Sequence, residues 1–396
     1  MSKLEVKIQP IFIKNHPNAD KLDIGNIGTP DGWQVIVQKG RFKTGDMCAY
    51  VGENAIVPEW VLKKYGYWNQ EQDKGMLAGS KGNRVKAIRL RQEFSLGICI
   101  PVHDVSNWSD EEQMMITSHT LEGNQVHEGD EVSDILNITK YEPPIPVCMA
   151  GEVYNAGTHI GVNYDIENIK NYPNVLVEGE LVQVTEKIHG TFIQIAVLPG
   201  TQYNYHEDHF MIPRTISGLG VAMYIAVSSK GLGGQGLFLK NNEKNATNVY
   251  VRTAKQLFER LSRFDVPTPF TVCGEVFGHG VQDLHYGCAM GETSFRMFDV
   301  YIGQRGSGFW LSDAELDVFS DKYEIPRVPV VYRGPFSKEM LTTLTQRAMS
   351  TFDPTQIKEG DVIKPVVERR DPVLGRVVVK SINEEYYTRK NGTEYN

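Results

Sequence analysis

Three of the six residues in Tyr141-Glu142-Pro143-Pro144-Ile145-Pro146 are proline. Each proline fixes its own φ and removes a backbone donor, so such a stretch is stiff and extended and can join neither a helix nor a sheet interior. It divides the 396-residue chain into a part spanning 1–142 and a part spanning 150–396, each long enough to bury its own core. Residues 4–102 read as short strands, among them Gln34–Val37, Met47–Val51, Val85–Ile88 and Gly97–Ile100. Turn signals such as Thr29-Pro30-Asp31-Gly32-Trp33 and Lys43-Thr44-Gly45-Asp46 separate them, a spacing that suggests a small β-barrel. Residues 103–140 are more polar, with one helix expected around Ser109 to Ser118 and a short one near Glu131 to Leu136.

Beyond the prolines, strand and helix patterns mix. Leu181–Lys187 and Phe192–Leu198 alternate as strands, and the pattern predicts a hairpin closing at His189-Gly190. Between Val249 and Phe264, the residues Val249, Val251, Ala254, Leu257, Phe258 and Leu261 fall on one helical face. Phe270–Val272 and Phe295–Phe298 read as buried strands, Ser312–Lys322 and Ser337–Ser350 as helices. Val362–Val367 and Arg376–Lys380 read as a closing strand pair. This part of the chain is therefore α+β with antiparallel sheets.

Bulk properties remove several function classes. The net charge is −8, so contact with a polyanion must come from local basic surface. Candidates are Arg84, Lys86, Arg89 and Arg91 in the barrel, and Arg369, Arg370 and Arg376 near the end. No apolar run approaches the roughly 20 residues that span a bilayer, and Met1-Ser2-Lys3-Leu4-Glu5 lacks the apolar core of a signal peptide. The expectation is a monomeric cytoplasmic protein with no membrane partner. Its five cysteines are scattered without a Cys-x-x-Cys pair, which points to reduced thiols.

Lys187 lies in Thr185-Glu186-Lys187-Ile188-His189-Gly190-Thr191, where a lysine at a strand end is flanked by polar residues and followed by glycine. Such a lysine is either a solvated surface residue or one presented to a bound phosphate. Downstream come Ser229-Lys230 before a glycine-rich stretch, Cys273-Gly274-Glu275-Val276-Phe277-Gly278, Phe295-Arg296-Met297-Phe298-Asp299, Glu359-Gly360-Asp361-Val362-Ile363-Lys364 and Val379-Lys380. The pair His206 and His209 has weak metal-site spacing and reads as an exposed loop.

The ordered set Lys-x-His-Gly, Ser-Lys, Gly-Glu-x-x-Gly, Phe-Asp, Glu-Gly-x-Val-x-Lys and a late lysine resembles the covalent nucleotidyltransferase superfamily of ligases and mRNA capping enzymes. The match runs from about 180 to 385, and His189 in place of aspartate is similar to many RNA ligases. Sixteen residues follow Lys380, too few for the carboxy-terminal OB barrel of DNA ligases and capping enzymes. The barrel lies instead at the amino end, where His16-Pro17-Asn18-Ala19-Asp20-Lys21-Leu22 resembles the opening of OB-type tRNA-binding modules. That order, with Asp130-Glu131-Val132 through Tyr141-Glu142-Pro143-Pro144, resembles the fifth RNA ligase family. The implied fold is an OB-like barrel with a helical extension and linker, followed by an antiparallel α+β nucleotidyltransferase (ATP-grasp-like ligase) domain.

The resemblance implies an ATP-dependent RNA ligase that joins a 3′-OH RNA end to a 5′-phosphate, at a nick in duplex RNA or RNA/DNA. It implies Lys187 as the nucleophile that carries AMP, with His189 beside it and Lys364 and Lys380 holding the α-phosphate. Glu275 and Glu359 are implied as ligands of Mg²⁺ or Mn²⁺. Glu275 would also contact the ribose, Phe298 would stack on adenine, Glu186 would read its amino edge, and Gly190 and Lys230 would complete the ATP site. A free lysine is almost wholly protonated near neutral pH, and neighbouring cations and desolvation release its amine. Departures are Val378 where the last motif has a second lysine, with Arg376 as a possible replacement, Asp361 at a commonly apolar position, and Phe192 where several relatives have asparagine. Two other readings are a GTP-dependent capping-type transferase and a catalytically inactive RNA-binding relative.

Overall fold

A computed structural model describes residues 4–109, 114–143, 145–199, 210–215, 222–264, 268–390 and 392–393. The chain divides into two compact units, Ser2–Glu142 and Pro143–Asn396. His206 and His209 lie outside the described residues. No described helix is long and apolar enough to cross a membrane.

The first unit is built on β1 (Lys7–Asn15), β2 (Leu22–Ile27), β3 (Trp33–Gln38), β4 (Met47–Gly52) and β5 (Gly97–Pro101). All neighbours are antiparallel, in the order β5-β4-β1-β2-β3. β1 changes partner along its length, with Lys7 to Pro10 on β4 and Ile11 to Asn15 on β2. Leu96 N–H donates to Gln34 O at 2.8 Å and Ile36 N–H to Ser95 Oγ at 3.0 Å, drawing the sheet's two ends together into a nearly closed barrel. Inward residues Ile11, Ile27, Val35, Val37, Phe42, Cys48 and Cys99 form one core. The five cysteines are free thiols, three buried and two half-buried.

Two local expectations for this unit need correction. Instead of a helix around Ser109 to Ser118, His103–Ser109 and Met114–Leu121 form antiparallel strands, with 110–113 outside the described residues. The run Met114-Met115-Ile116-Thr117 suits a ladder once a partner strand is available, and tertiary pairing overrides a weak helical pattern. The strand expected at Val85–Ile88 is only a bridge at Arg84, followed by a short strand Ile88–Leu90. His16 is buried and ties the β1–β2 turn to that short strand, its Nε2 lying 3.1 Å from Leu90 O.

The second unit holds two main sheets. β6 (Leu181–Lys187) belongs to a five-stranded sheet with β11 (Val330–Pro335), β12 (Gly360–Pro365) and β13 (Val379–Ile382). β7 (Thr191–Pro199) belongs to an eight-stranded sheet with β8 (Ala222–Ser229), β9 (Phe270–Gly278) and β10 (Thr293–Ile302). The expected hairpin at His189-Gly190 therefore does not form. β6 pairs with β11 and β12, β7 pairs with β8 and β9, and Ile188 to Gly190 carry the chain from one sheet to the other.

Alternation sorts the faces of these sheets. Ile193, Ile195, Val197, Val272, Val276, Met297 and Val300 pack in a core with α1 (Val249–Leu261) and α2 (Asp313–Tyr323). The Asn248 side chain caps α1 by accepting from Tyr250 and Val251 N–H, worth about 1 kcal/mol. In the smaller sheet Val182, Val184, Ile363 and Val379 pack with Phe336 and with Leu341 of α3 (Lys338–Thr345). That helix stops before the expected Ser350, and residues after it fold back beside β6. The other face of the smaller sheet carries Gln183, Thr185, Lys187, Lys364 and Lys380. The other face of the larger sheet is mixed, with Phe192, Cys273 and Phe298 in an apolar cluster. Lys364 reaches Asp299 at 3.2 Å in the cleft between the two sheets.

Candidate active site

Strand register gathers the lysines. Lys187 lies opposite Gly360, Thr185 opposite Val362, and Gln183 opposite Lys364, while Val362 lies opposite Lys380. Directly opposed residues share a face, so Lys187, Lys364 and Lys380 all emerge on the cleft side. At about 3.3 Å per residue, Lys380 is offset from Lys187 by roughly 7 Å and Lys364 by roughly 13 Å along the strand direction, Lys380 two strands away and Lys364 one.

Around Lys187 the structure brings together Glu359, Glu275, Gly190 and Lys380. Lys187 Nζ is 2.7 Å from Glu359 Oε1, whose other oxygen is buried with no hydrogen-bond partner among the described residues. Glu275 Oε1 accepts Gly190 N–H at 3.2 Å. Desolvation pushes the Glu275 carboxyl up to about 8, Lys187 pulling it down and the like charge of Glu359 pushing it further up. Burial likewise weakens the Lys380 ammonium to about 8, helped by the positive charges of Lys187 and Lys230. Lys230 itself is ion-paired to Asp165 at 2.6 Å. A Cβ on Gly190 would sit 2.2 Å from Val276 O, so only glycine lets the turn approach β9 this closely.

Lys364 belongs to a second cluster. Its ammonium and the Arg376 guanidinium, 2.7 Å from Oδ2, both contact the buried Asp299, as does the Tyr164 hydroxyl at 3.0 Å. Burial pushes the Lys364 ammonium down and Asp299 supports it. Phe298 sits in an aromatic group with Tyr164 and Phe192, at centroid distances of 4.9 and 5.9 Å. Val378 is buried, and Arg376 approaches the cleft in its stead. By alternation Glu186 leaves β6 on the side away from Lys187. Its Oε2 accepts Thr351 N–H at 2.8 Å, and Oε1 is buried without a partner among the described residues. Asp361 is explained by a buried ion pair with Lys358 at 2.9 Å.

His189 is buried in a network that the sequence did not reveal. Its backbone N–H donates to the Tyr286 hydroxyl at 2.6 Å, and Gln282 Nε2 donates to Gly190 O at 3.2 Å. Tyr286 has φ +52°, an uncommon conformation for so bulky a residue. Tyr164, Asp165, Asp283, Tyr286, Thr351, Tyr386 and Arg389 carry no local motif; only their spatial meeting distinguishes them. Of the basic candidates, Arg369 is paired to Glu180 and Arg376 to Glu368 as well as Asp299. Among the described residues no three His, Cys, Asp or Glu ligands gather for a metal. Glu275 and Glu359 remain as a neighbouring pair, like-charged and with one Glu359 oxygen buried without a hydrogen-bond partner among the described residues. Mg²⁺ and Mn²⁺ commonly take one or two carboxylates and complete their shell with phosphate and water, so the pair fits such an ion.

A family model described as RNA ligase matches residues 180–382, just over half of the chain. The chain belongs to the RNA ligase family. A second model, described as an OB-fold domain, matches residues 6–102, in keeping with the barrel. Among curated proteins no sequence matches. Solved structures of Naegleria gruberi RNA ligase share the fold of this RNA ligase family member over nearly its whole length. The complex with PPi aligns with TM-score 0.68 at 20% identity, covering 97% of this chain and 98% of that one. A lysine-to-alanine mutant with ATP and Mn aligns with TM-score 0.66 at 21% identity over 97% and 98%. A glutamate-to-alanine mutant with AMP and Mn gives 0.67 at 21% over the same shares.

Proposed function

We propose that this RNA ligase uses ATP and joins a 3′-OH RNA end to a 5′-phosphate through lysyl-AMP and adenylylated RNA, at nicks in duplex RNA or RNA/DNA. The observation that carries the reading is the placement of the Lys187 amine between Glu359, Glu275 and Lys380 in one cleft. The related Naegleria structures with ATP, AMP and Mn support the choice of nucleotide and ion.

In this reading Lys187 Nζ attacks the α-phosphorus, a P–N bond forms, and the bond to pyrophosphate breaks. Glu359, in contact with Nζ, is the nearest group able to take the proton the amine must lose. Lys380 and Lys230 face the developing negative charge on the phosphates. Glu275 and Glu359 would hold Mg²⁺ or Mn²⁺, which when bound neutralises triphosphate charge as pyrophosphate departs. Phe298 offers a face for adenine. Lys364, neutralised by Asp299, holds the cleft wall unless nucleotide draws it away. AMP then passes to the RNA 5′-phosphate, and attack by the 3′-OH seals the strand and releases AMP. The barrel's Arg89 and Arg91 would bind backbone phosphate.

Incubation with ATP labelled at the α-phosphate and Mg²⁺ or Mn²⁺ should label the chain, and Lys187→Ala should abolish the label. Label from GTP in preference to ATP would favour a capping-type transferase, and no label at all an inactive relative. Nicked duplexes with RNA or DNA on the 3′-OH side then define the substrate.

A further inference from the structure

The least expected feature of the site is what holds the His189 ring. Its Nε2 lies 3.0 Å from Asp283 Oδ1, and its Nδ1 lies 2.8 Å from the Tyr386 hydroxyl. Arg389 donates from Nε to Asp283 Oδ2 at 2.8 Å and from Nη2 to Asp283 Oδ1 and Thr393 O, both at 3.0 Å. Its guanidinium also lies 3.7 Å above the Tyr386 ring. Thr393 closes the ring of contacts, its N–H donating to Asp283 Oδ1 at 2.8 Å and its hydroxyl to Gln282 Oε1 at 2.9 Å.

A carboxylate only accepts, so His189 Nε2–H donates to Asp283, and Nδ1 meets the Tyr386 hydroxyl. Arg389 Nη2 also lies 3.1 Å from His189 Nε2, beside its bonds to Asp283 and Thr393. Burial pushes the Asp283 carboxyl up, but hydrogen bonds from His189 and Arg389 outweigh it and hold the group well below the usual carboxylate range. Asp283 is thus a permanent anion around which the ring is oriented. Tyr386, Arg389 and Thr393 lie beyond the residues that the RNA ligase model matches.

We propose that Tyr386, Arg389 and Thr393 form a clamp that, through Asp283, sets the orientation of His189 and so of the Lys187 turn, making Asp283, Tyr386 and Arg389 positioning residues for adenylylation. The proposal rests on Lys187 being the nucleophile. It links three stretches far apart in sequence: the turn after β6, the loop after β9 and the segment after β13. Displacing a reacting group by about 1 Å can cost on the order of a hundredfold in rate, so a ring freed on one side should slow the chemistry without removing the ATP site.

The test measures single-turnover formation of labelled lysyl-AMP at saturating ATP in the full chain, Tyr386→Phe and Arg389→Ala. In parallel, the imidazole nitrogen NMR resonances of His189 are recorded, assigned by their loss in His189→Asn. The expected result is a rate loss of about tenfold or more in both variants, half-saturation by ATP within about twofold, and displaced His189 resonances. Unchanged rates overturn the proposal. Rates that fall while the His189 resonances stay in place also overturn it, because the loss would then be structural. Tyr386→Phe deletes a single oxygen, so it carries the test if Arg389→Ala fails to fold. Absence of label in the unaltered chain would instead remove the ligase reading, and this proposal with it.

Discussion

Replacing Asp361 with valine while Lys358 remains should destabilise the second unit far more than replacing both. Lys358 Nζ lies 2.9 Å from Asp361 Oδ1 and 2.9 Å from Leu344 O, and Asp361 Oδ2 accepts the Thr345 hydroxyl at 2.8 Å. Lys358 is 3% and Asp361 0% exposed, so water cannot take over for a lost partner. Removing one member of a buried pair costs about 3–5 kcal/mol, whereas replacing both by apolar side chains is often neutral. The double variant Lys358→Met/Asp361→Val also strands Leu344 O and Thr345 Oγ1, roughly 1 kcal/mol each. It should therefore lose about 2 kcal/mol and Asp361→Val alone about 4, a difference of roughly 4–8 °C in melting temperature. Lys358→Met should be the pH-sensitive member. Burial raises the Asp361 carboxyl above its ordinary value, with Lys358 opposing. Without that lysine the group is raised further, so the folded form binds the extra proton and stability falls as pH rises through the window above the ordinary carboxyl value. Urea unfolding across pH 5 to 8 (roughly the range in which such domains stay folded) measures this, following the second unit's transition. Losses that simply add in the double variant would refute the argument, since independent costs mean the two charges do not compensate each other.

Three other outcomes follow from the cleft. ATP binding should weaken as pH rises through about 8, where Lys380 loses its charge; calorimetry above that pH should show proton uptake on binding, and Lys380→Ala should flatten the profile. Gly190→Ala should abolish labelling, because its Cβ would lie 2.2 Å from Val276 O; a normally active variant would mean the turn is looser than described. Lys230→Ala should change stability by less than about 1 kcal/mol, since its pair with Asp165 is half-exposed, while raising the ATP concentration needed for half-maximal labelling.

Much of the fold is legible in the chain's local pattern. Alternation marks Leu181–Lys187 and Phe192–Leu198 as strands, and the apolar face that begins at Val249 marks a helix. The pairing of strands is not local information, which is why adjacent strands around His189-Gly190 suggest a hairpin but enter different sheets. The same limit hides the network around His189. Asp283 and Arg389 are ordinary charged residues until two loops bring them to 3.0 and 3.1 Å from one ring nitrogen.

By itself, then, the sequence determined the order of the motifs, the type of most elements and membership of the RNA ligase resemblance, because propensity, alternation and spacing are properties of short segments. Only the tertiary structure decided that Lys187 stands at a crossing between two sheets, that Lys364 is given to Asp299 rather than left beside Lys187, and that a late tyrosine and arginine grip His189. Those outcomes depend on which distant strands satisfy one another's hydrogen bonds and on which buried charges find partners, and no single segment contains that information.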